Sequence, residues 1–298
     1  MKYGIREICD VVLKAKAPTK IGKTTFTEGM PVLYFDSLKT STMEGAATTV
    51  YAQGGKGNAR LVAWEGERTV TFTMEDALIS EMGLSVLTGA GLLEADEITD
   101  GMKVHATARY GKTDTYTCEE EVISGNNNYP IYVVELDKND NVLVTSTATF
   151  KAGTENAPGA FEYYGKDGTS SATKFHADTK AVMFDFYVKK TSGAKQIEIT
   201  ADKFAGNYYL EASTLFRSAD GVDHPAEFVI PNCKIQSNFT FTMASSGDPS
   251  TFTFTMDAFP DYTKFDATKK VFSVIQIIDE EAPFVDKKAE ETVTPANG

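Results

Sequence analysis

Alternation with a period of two dominates this chain. It is clearest where the pentapeptide Phe-Thr-Phe-Thr-Met occurs twice, at 239–243 and 252–256. Side chains of a strand change face at every residue, so Phe239, Phe241 and Met243 fall on one side, and Thr240 and Thr242 on the other. In the second copy Phe252, Phe254 and Met256 oppose Thr253 and Thr255. The run between them contains Gly247, Asp248 and Pro249, which supply a chain reversal. The pattern predicts a β-hairpin whose two strands carry the same faces: phenylalanine and methionine toward a core, threonine toward water. A third copy, Thr-Val-Thr-Phe-Thr-Met, stands at 69–74.

The rest of the chain reads in the same way. Strands are predicted over 5–16 and 31–36, and the Gly-rich stretch 45–58 reads as a mobile loop or wide turn. Residues 61–64 and 68–74 read as a short hairpin across Glu65-Gly66-Glu67. One short helix is predicted over about residues 74–82. Thr73 would cap it, Asp76 would stand in the capping-box position, Met74, Ala77, Leu78 and Met82 would share a face, and Gly83 would end it. Strands return over 102–110, 113–123, 130–137 and 142–150, then 181–189, 195–200, 207–218, 225–230 and 271–278. The Gly-, Ser- and Thr-rich segment 151–180 reads as a loop or boundary. The expected fold is therefore mainly β, an antiparallel sandwich or barrel with long hairpins and one flanking helix. Residues 1–279 form the β domain, with an inserted or added β region around 101–180, and 280–298 form a flexible polar tail.

Composition changes this picture only at the margins. A net charge of −13 over 298 residues argues against wrapping nucleic acid, which needs a basic face. No run approaches the ~20 apolar residues of a membrane helix, and the N-terminus lacks an apolar core of signal-peptide length. Cys9, Cys118 and Cys233 are far apart and form no metal or redox motif, so they read as buried reduced thiols of a protein made in the cytoplasm. His105, His176 and His224 are isolated, with no zinc-ligand spacing. The run 17–24 matches a loose phosphate-binding loop, but Gly29 and Pro31 break the helix it needs. The Asp137–Asn141 stretch begins like a calcium loop yet lacks its glycine and its bidentate glutamate. Trp64 could stack on a sugar, although one tryptophan in a patterned strand reads more simply as core. No catalytic, cofactor-binding or metal-ligating residue emerges, and the chain reads as a non-enzyme.

Two stretches resemble a known family. Residues 33–45 and 59–80 look like the N-terminal part of structural proteins of contractile-tailed bacteriophages. The run 226–261, with Ile230-Pro231-Asn232-Cys233-Lys234 leading to Gly247-Asp248-Pro249, is similar to the closing part of a phage tail tube protein. The resemblance implies a tail-tube β fold shared with type VI secretion tubes, with six copies per ring and rings stacked into a channel for genome passage. It also implies a place in the virion tail, with self-contacts, sheath, baseplate and terminator proteins as partners, and passing DNA that is not bound specifically. On that reading Thr240, Thr242, Thr253 and Thr255 face the lumen, while Phe239, Phe241, Phe252, Phe254 and Met256 face the subunit core. A tube-like baseplate or terminator protein and a capsid decoration protein are the neighbouring readings. A carbohydrate-binding or adhesive β-sandwich module is the reading from another class.

Overall fold

The computed structural model describes residues 2–5, 7–113, 115–124, 127–155, 157–240, 243, 245 and 251–278. The chain divides into two compact units, one of Met1–Leu92 with Ile197–Gly298 and one of Leu93–Gln196. The first begins with β1 (Tyr3–Ile5), β2 (Asp10–Ala15), β3 (Thr19–Ile21), β4 (Thr24–Phe26), β5 (Pro31–Phe35), β6 (Leu38–Gly54) and β7 (Ala59–Asp76). Helix α1 (Glu81–Thr88) and β8 (Gly91–Glu94) follow. The second unit holds β9 (Met102–Gly111), β10 (Tyr116–Cys118), β11 (Ile131–Leu136), β12 (Val142–Lys151), β13 (Gly159–Glu162) and β14 (Ala181–Lys190). The chain then returns through β15 (Lys195–Glu198), β16 (Asn207–Ser218), β17 (Asp223–Ile235), β18 (Phe252–Ala258) and β19 (Val274–Ile277). The fold is mainly β and antiparallel, with one α-helix among the described residues.

The large sheet of the first unit runs in the order β5-β2-β16-β17-β18-β7-β6, with β1 added on β16 and β19 on β17. Its inward positions alternate with outward ones, so Val11, Leu13, Phe72, Met74, Leu210, Ile230, Phe254 and Met256 meet in a single core. The Thr-Phe-Thr-Met repeats pair with each other, but not as the local turn signal predicts. β18 lies against β7, with Phe254 opposite Met74, Thr255 opposite Thr73 and Met256 opposite Phe72. Its other edge meets β17, where Ile235 faces Met256. Residues 238–240 form no strand, the rest of the predicted hairpin of 239–243 with 252–256 lies largely outside the described residues, and the copy at 252–256 pairs with the distant one in β7. The hydrophobic pattern sets register but cannot choose among identical partners. In β7 the ladder with β6 places Phe72 and Met74 in the core beside Phe254 and Met256.

The first long hairpin is also larger than expected. Residues 45–58 are no loop, and 61–74 are no separate hairpin. β6 and β7 run as one ribbon from the pair Leu38–Asp76 to the pair Gly54–Ala59. The turn is confined to Gly55–Asn58, where Gly55, Gly57 and Asn58 have φ of 80°, 85° and 51°. Gly66, read as a turn residue, sits at a bulge opposite Thr48, whose hydroxyl accepts from the Glu67 N–H at 2.9 Å. A Cβ on Gly66 would lie 2.5 Å from that hydroxyl.

The helix is displaced from its predicted place. Met74 and Asp76 belong to β7, because the strict alternation of 69–76 suits a strand; Gly83 lies inside the first turn of α1 instead of ending it. Ser80 is the cap, accepting from the Gly83 N–H at 2.9 Å, and Gly89 closes the helix in the left-handed region with φ 69°. A Cβ there would come within 2.1 Å of the Phe204 carbonyl carbon. Gly89→Ala is therefore expected to cost about 2–4 kcal/mol, seen as a lower denaturant midpoint at unchanged slope.

The second unit is a sheet in the order β10-β13-β12-β11-β14-β9. The Tyr110 hydroxyl of β9 donates to the Thr117 carbonyl of β10 at 2.6 Å, so the sheet curls to bring its outermost strands together. Tyr116, Phe161 and Phe184 fill the interior, with Phe161 stacked on Phe184 at a centroid distance of 4.4 Å. Beside them Glu135 is fully buried and accepts from the Tyr163 hydroxyl, the Thr179 hydroxyl and the His176 N–H.

Candidate assembly surface

Two surfaces of the first unit stand out. One is the outer part of the β6–β7 ribbon. Residues 44–51 and 55–69 are all exposed, so both faces of the ribbon meet water over about 30 Å. Cross-strand neighbours share a face, which groups Val50 with Trp64 and Ala52 with Val62. Val50 is 61% exposed and Trp64 55%. Trp64, read from sequence as core, is thus on the surface, because none of the described residues of its unit lies over this end of the ribbon. On the reverse face the Arg60 guanidinium sits 4.0 Å from the Tyr51 ring. The alternation in this region had been legible, but not that both faces stay open.

The other surface is the outward face of β6, β7 and β18. The ladders place Thr40 beside Glu75, Thr42 beside Thr73 and Glu44 beside Thr71. β18 then sets Thr253 beside Glu75, Thr255 beside Thr73 and Asp257 beside Thr71. Lys234 of β17 lies next to Asp257 at the margin. The result is a field of threonine hydroxyls interspersed with carboxylates. Of the residues expected to face a lumen, Thr253 is exposed and Thr255 half-buried within this field, whereas Thr240 is exposed outside any strand. Thr242 lies outside the described residues. The field's other members, in β6 and β7, were missed as a surface, although the third repeat and the alternation of 40–44 carried the signal.

The apolar positions divide as well. Phe254 and Met256 are fully buried and Phe252 is half-buried. Phe239 is exposed, so it does not share their core; Phe241 lies outside the described residues. Residues 238–240 belong to no strand, so no ladder fixes the face that Phe239 takes.

The remaining reactive groups serve structure. Burial pushes the Cys233 thiol up to about 12, and its S–H donates to the Tyr208 carbonyl. Burial likewise raises the Cys9 thiol, so neither offers a thiolate near neutral pH. The 17–24 run forms the tight β3–β4 hairpin, with Gly22 at φ 55° and no helix after it. Among the described residues no three His, Cys, Asp or Glu side chains cluster as metal ligands, and no helix is long and apolar enough to cross a membrane.

The sequence profile of the YomU/Tube protein family matches residues 5–274. The chain belongs to the YomU/Tube family. That family is phage-derived and tube-like, which makes this protein a phage tube-like structural protein and agrees with the β-rich architecture and a place in a virion tail. No curated protein matched the sequence.

Proposed function

We propose that the protein is the tail tube subunit, six copies closing into a ring and rings stacking into the channel for the genome of a contractile-tailed phage. The observation that carries this reading is the bare β6–β7 ribbon. An isolated two-stranded ribbon is marginal in water, and this one holds Val50 and Trp64 in the open. Burial of such a pair in a neighbouring copy would stabilise the assembly by about 1.5–3 kcal/mol per side chain. Closed symmetry repeats the contact around the ring.

The threonine and carboxylate field would line the lumen. Hydroxyls keep the wall wetted without charge, and Glu44, Glu75 and Asp257 repel phosphate within a Debye length of about 8–10 Å. DNA would pass without sticking. Sheath, baseplate and terminator proteins would meet the outside and the ends of such a tube.

Electron microscopy of the purified protein over a concentration series tests this. Tubes or stacked rings are expected for the native chain. Trp64→Glu is expected to leave single subunits whose unfolding temperature is little changed, since Trp64 is exposed and lies outside the core of its unit. Monomers at every concentration for the native chain would overturn the tube reading, and single unstacked rings would favour a terminator or baseplate role. Reconstruction of the tubes would also show whether the field of β6, β7 and β18 faces the lumen; an outward position would overturn that assignment.

A further inference from the structure

The outer face of the second unit carries a different chemistry from either surface above. Along β14, Val182, Phe184, Phe186 and Val188 point into the interior, so Met183, Asp185 and Tyr187 point out. The ladders continue this outward row on both sides, Asp185 lying between Thr107 and Tyr132, and Tyr132 beside Thr147. Tyr187 is packed edge-on by His105, with centroids 5.5 Å apart, and by Tyr129 at 5.2 Å. Tyr132 stands 49% exposed. A cleft of about 650 Å³ opens beside it, lined among others by Tyr129, Tyr132, Thr147 and Thr149. That volume is within the ~300–1,000 Å³ of small-ligand clefts.

Several polar groups of this face already have partners. Asp185 is 3.2 Å from the His105 ring nitrogen, Arg109 pairs with Asp140, and Glu162 accepts from the Thr149 hydroxyl at 3.1 Å. What remains is aromatic surface bordered by hydroxyl, imidazole and carboxylate groups. Tyrosine offers a rigid ring with a polar tip and loses little conformational entropy when it is covered.

We propose that this face binds a neutral glycan. A pyranose presents an apolar C–H face, which suits the exposed Tyr132 ring, and a rim of hydroxyls. Asp185 accepts from such hydroxyls, and the Thr107 and Thr147 hydroxyls both donate and accept. Strands spaced about 4.8 Å apart set these groups at intervals close to the width of a sugar ring, so successive residues of an oligosaccharide can be read across the sheet. The inference rests on the second unit alone and is independent of tube assembly.

Calorimetric titration of the full chain with maltohexaose, cellohexaose, laminarihexaose and chitohexaose tests it. Saturable binding of at least one is expected. Tyr132→Ala and Asp185→Asn should each weaken it about tenfold, equivalent to ~1.4 kcal/mol, with the unfolding temperature preserved. Trp64→Ala, on the ribbon of the other unit, should leave it unchanged. Absence of saturable heat with all four sugars would overturn the proposal. So would binding indifferent to Tyr132→Ala, or a face whose only response to that change is loss of self-association.

Discussion

Phe254→Ala is expected to destabilise the first unit by about 3–5 kcal/mol, the range for removing a fully buried phenylalanine from a core that cannot close around the gap. Phe254 has no exposed surface, faces Met74 across the ladder and packs edge-on against Phe35 with centroids 5.0 Å apart. It joins β18 to β7 and to β5 at the far end of the sheet order. A loss of this size is a large share of the ~5–15 kcal/mol that holds a domain together, so the proposed tube assembly should fail with it. The neighbouring Thr253→Ala provides the contrast. It changes the exposed face of the same strand and should move the denaturation midpoint by no more than ~0.5 kcal/mol equivalent. Equal effects of the two substitutions in guanidinium unfolding would contradict the assigned faces.

Glu135→Ala is the second large effect, confined to the other unit. The carboxylate takes the Tyr163 hydroxyl at 2.7 Å, the Thr179 hydroxyl at 2.5 Å and the His176 N–H at 2.8 Å. Removing it leaves three buried or half-buried donors without an acceptor, at a cost of about 3–5 kcal/mol. Glu135→Gln should recover only part, because the amide presents one oxygen where the carboxylate presents two. Hydrogen exchange is the suitable measurement: protection should fall across 163–180 while the first unit keeps its own. Burial first, and then the hydrogen bond to Glu135, raise the Tyr163 phenol above its ordinary value. The neutral phenol is the form favoured by folding, so this contribution is complete below pH ~10 and is lost as pH rises beyond it. An unchanged exchange pattern in the alanine variant would show that Glu135 does not hold this segment.

Much of the strand content was legible because alternation is a local property. The 102–110, 130–137, 142–150, 181–189 and 207–218 segments can be read off their own residues, and their observed strands lie close to those limits. The helix was misplaced because two signals overlapped. A capping pattern at Thr73 and Asp76 competed with the alternation of 69–76, and a residue paired on both sides by β6 and β18 cannot also begin a helix. Ser80 and Gly89, an N-cap and a left-handed glycine, were the better start and stop signals.

The assembly surfaces were less visible for a different reason. Sequence shows which residues share a face of one strand, not what lies across from it. The outward field needed three strands in register, and those strands are drawn from residues 38–44, 71–76 and 252–257. Exposure of Trp64 depended likewise on the length of the β6–β7 pairing, which carries its outer half beyond the other described residues of the unit.

What the sequence by itself determined is the β character, the identity of the inward and outward sets on each strand, and the kinship with phage tube proteins. These follow from side-chain alternation and from motifs only a few residues long. The tertiary structure alone decided which copy of the repeat pairs with which, where the helix begins, and which apolar side chains remain uncovered. Those outcomes depend on competition among distant partners of equal local fitness. That competition is settled by the burial each partner brings.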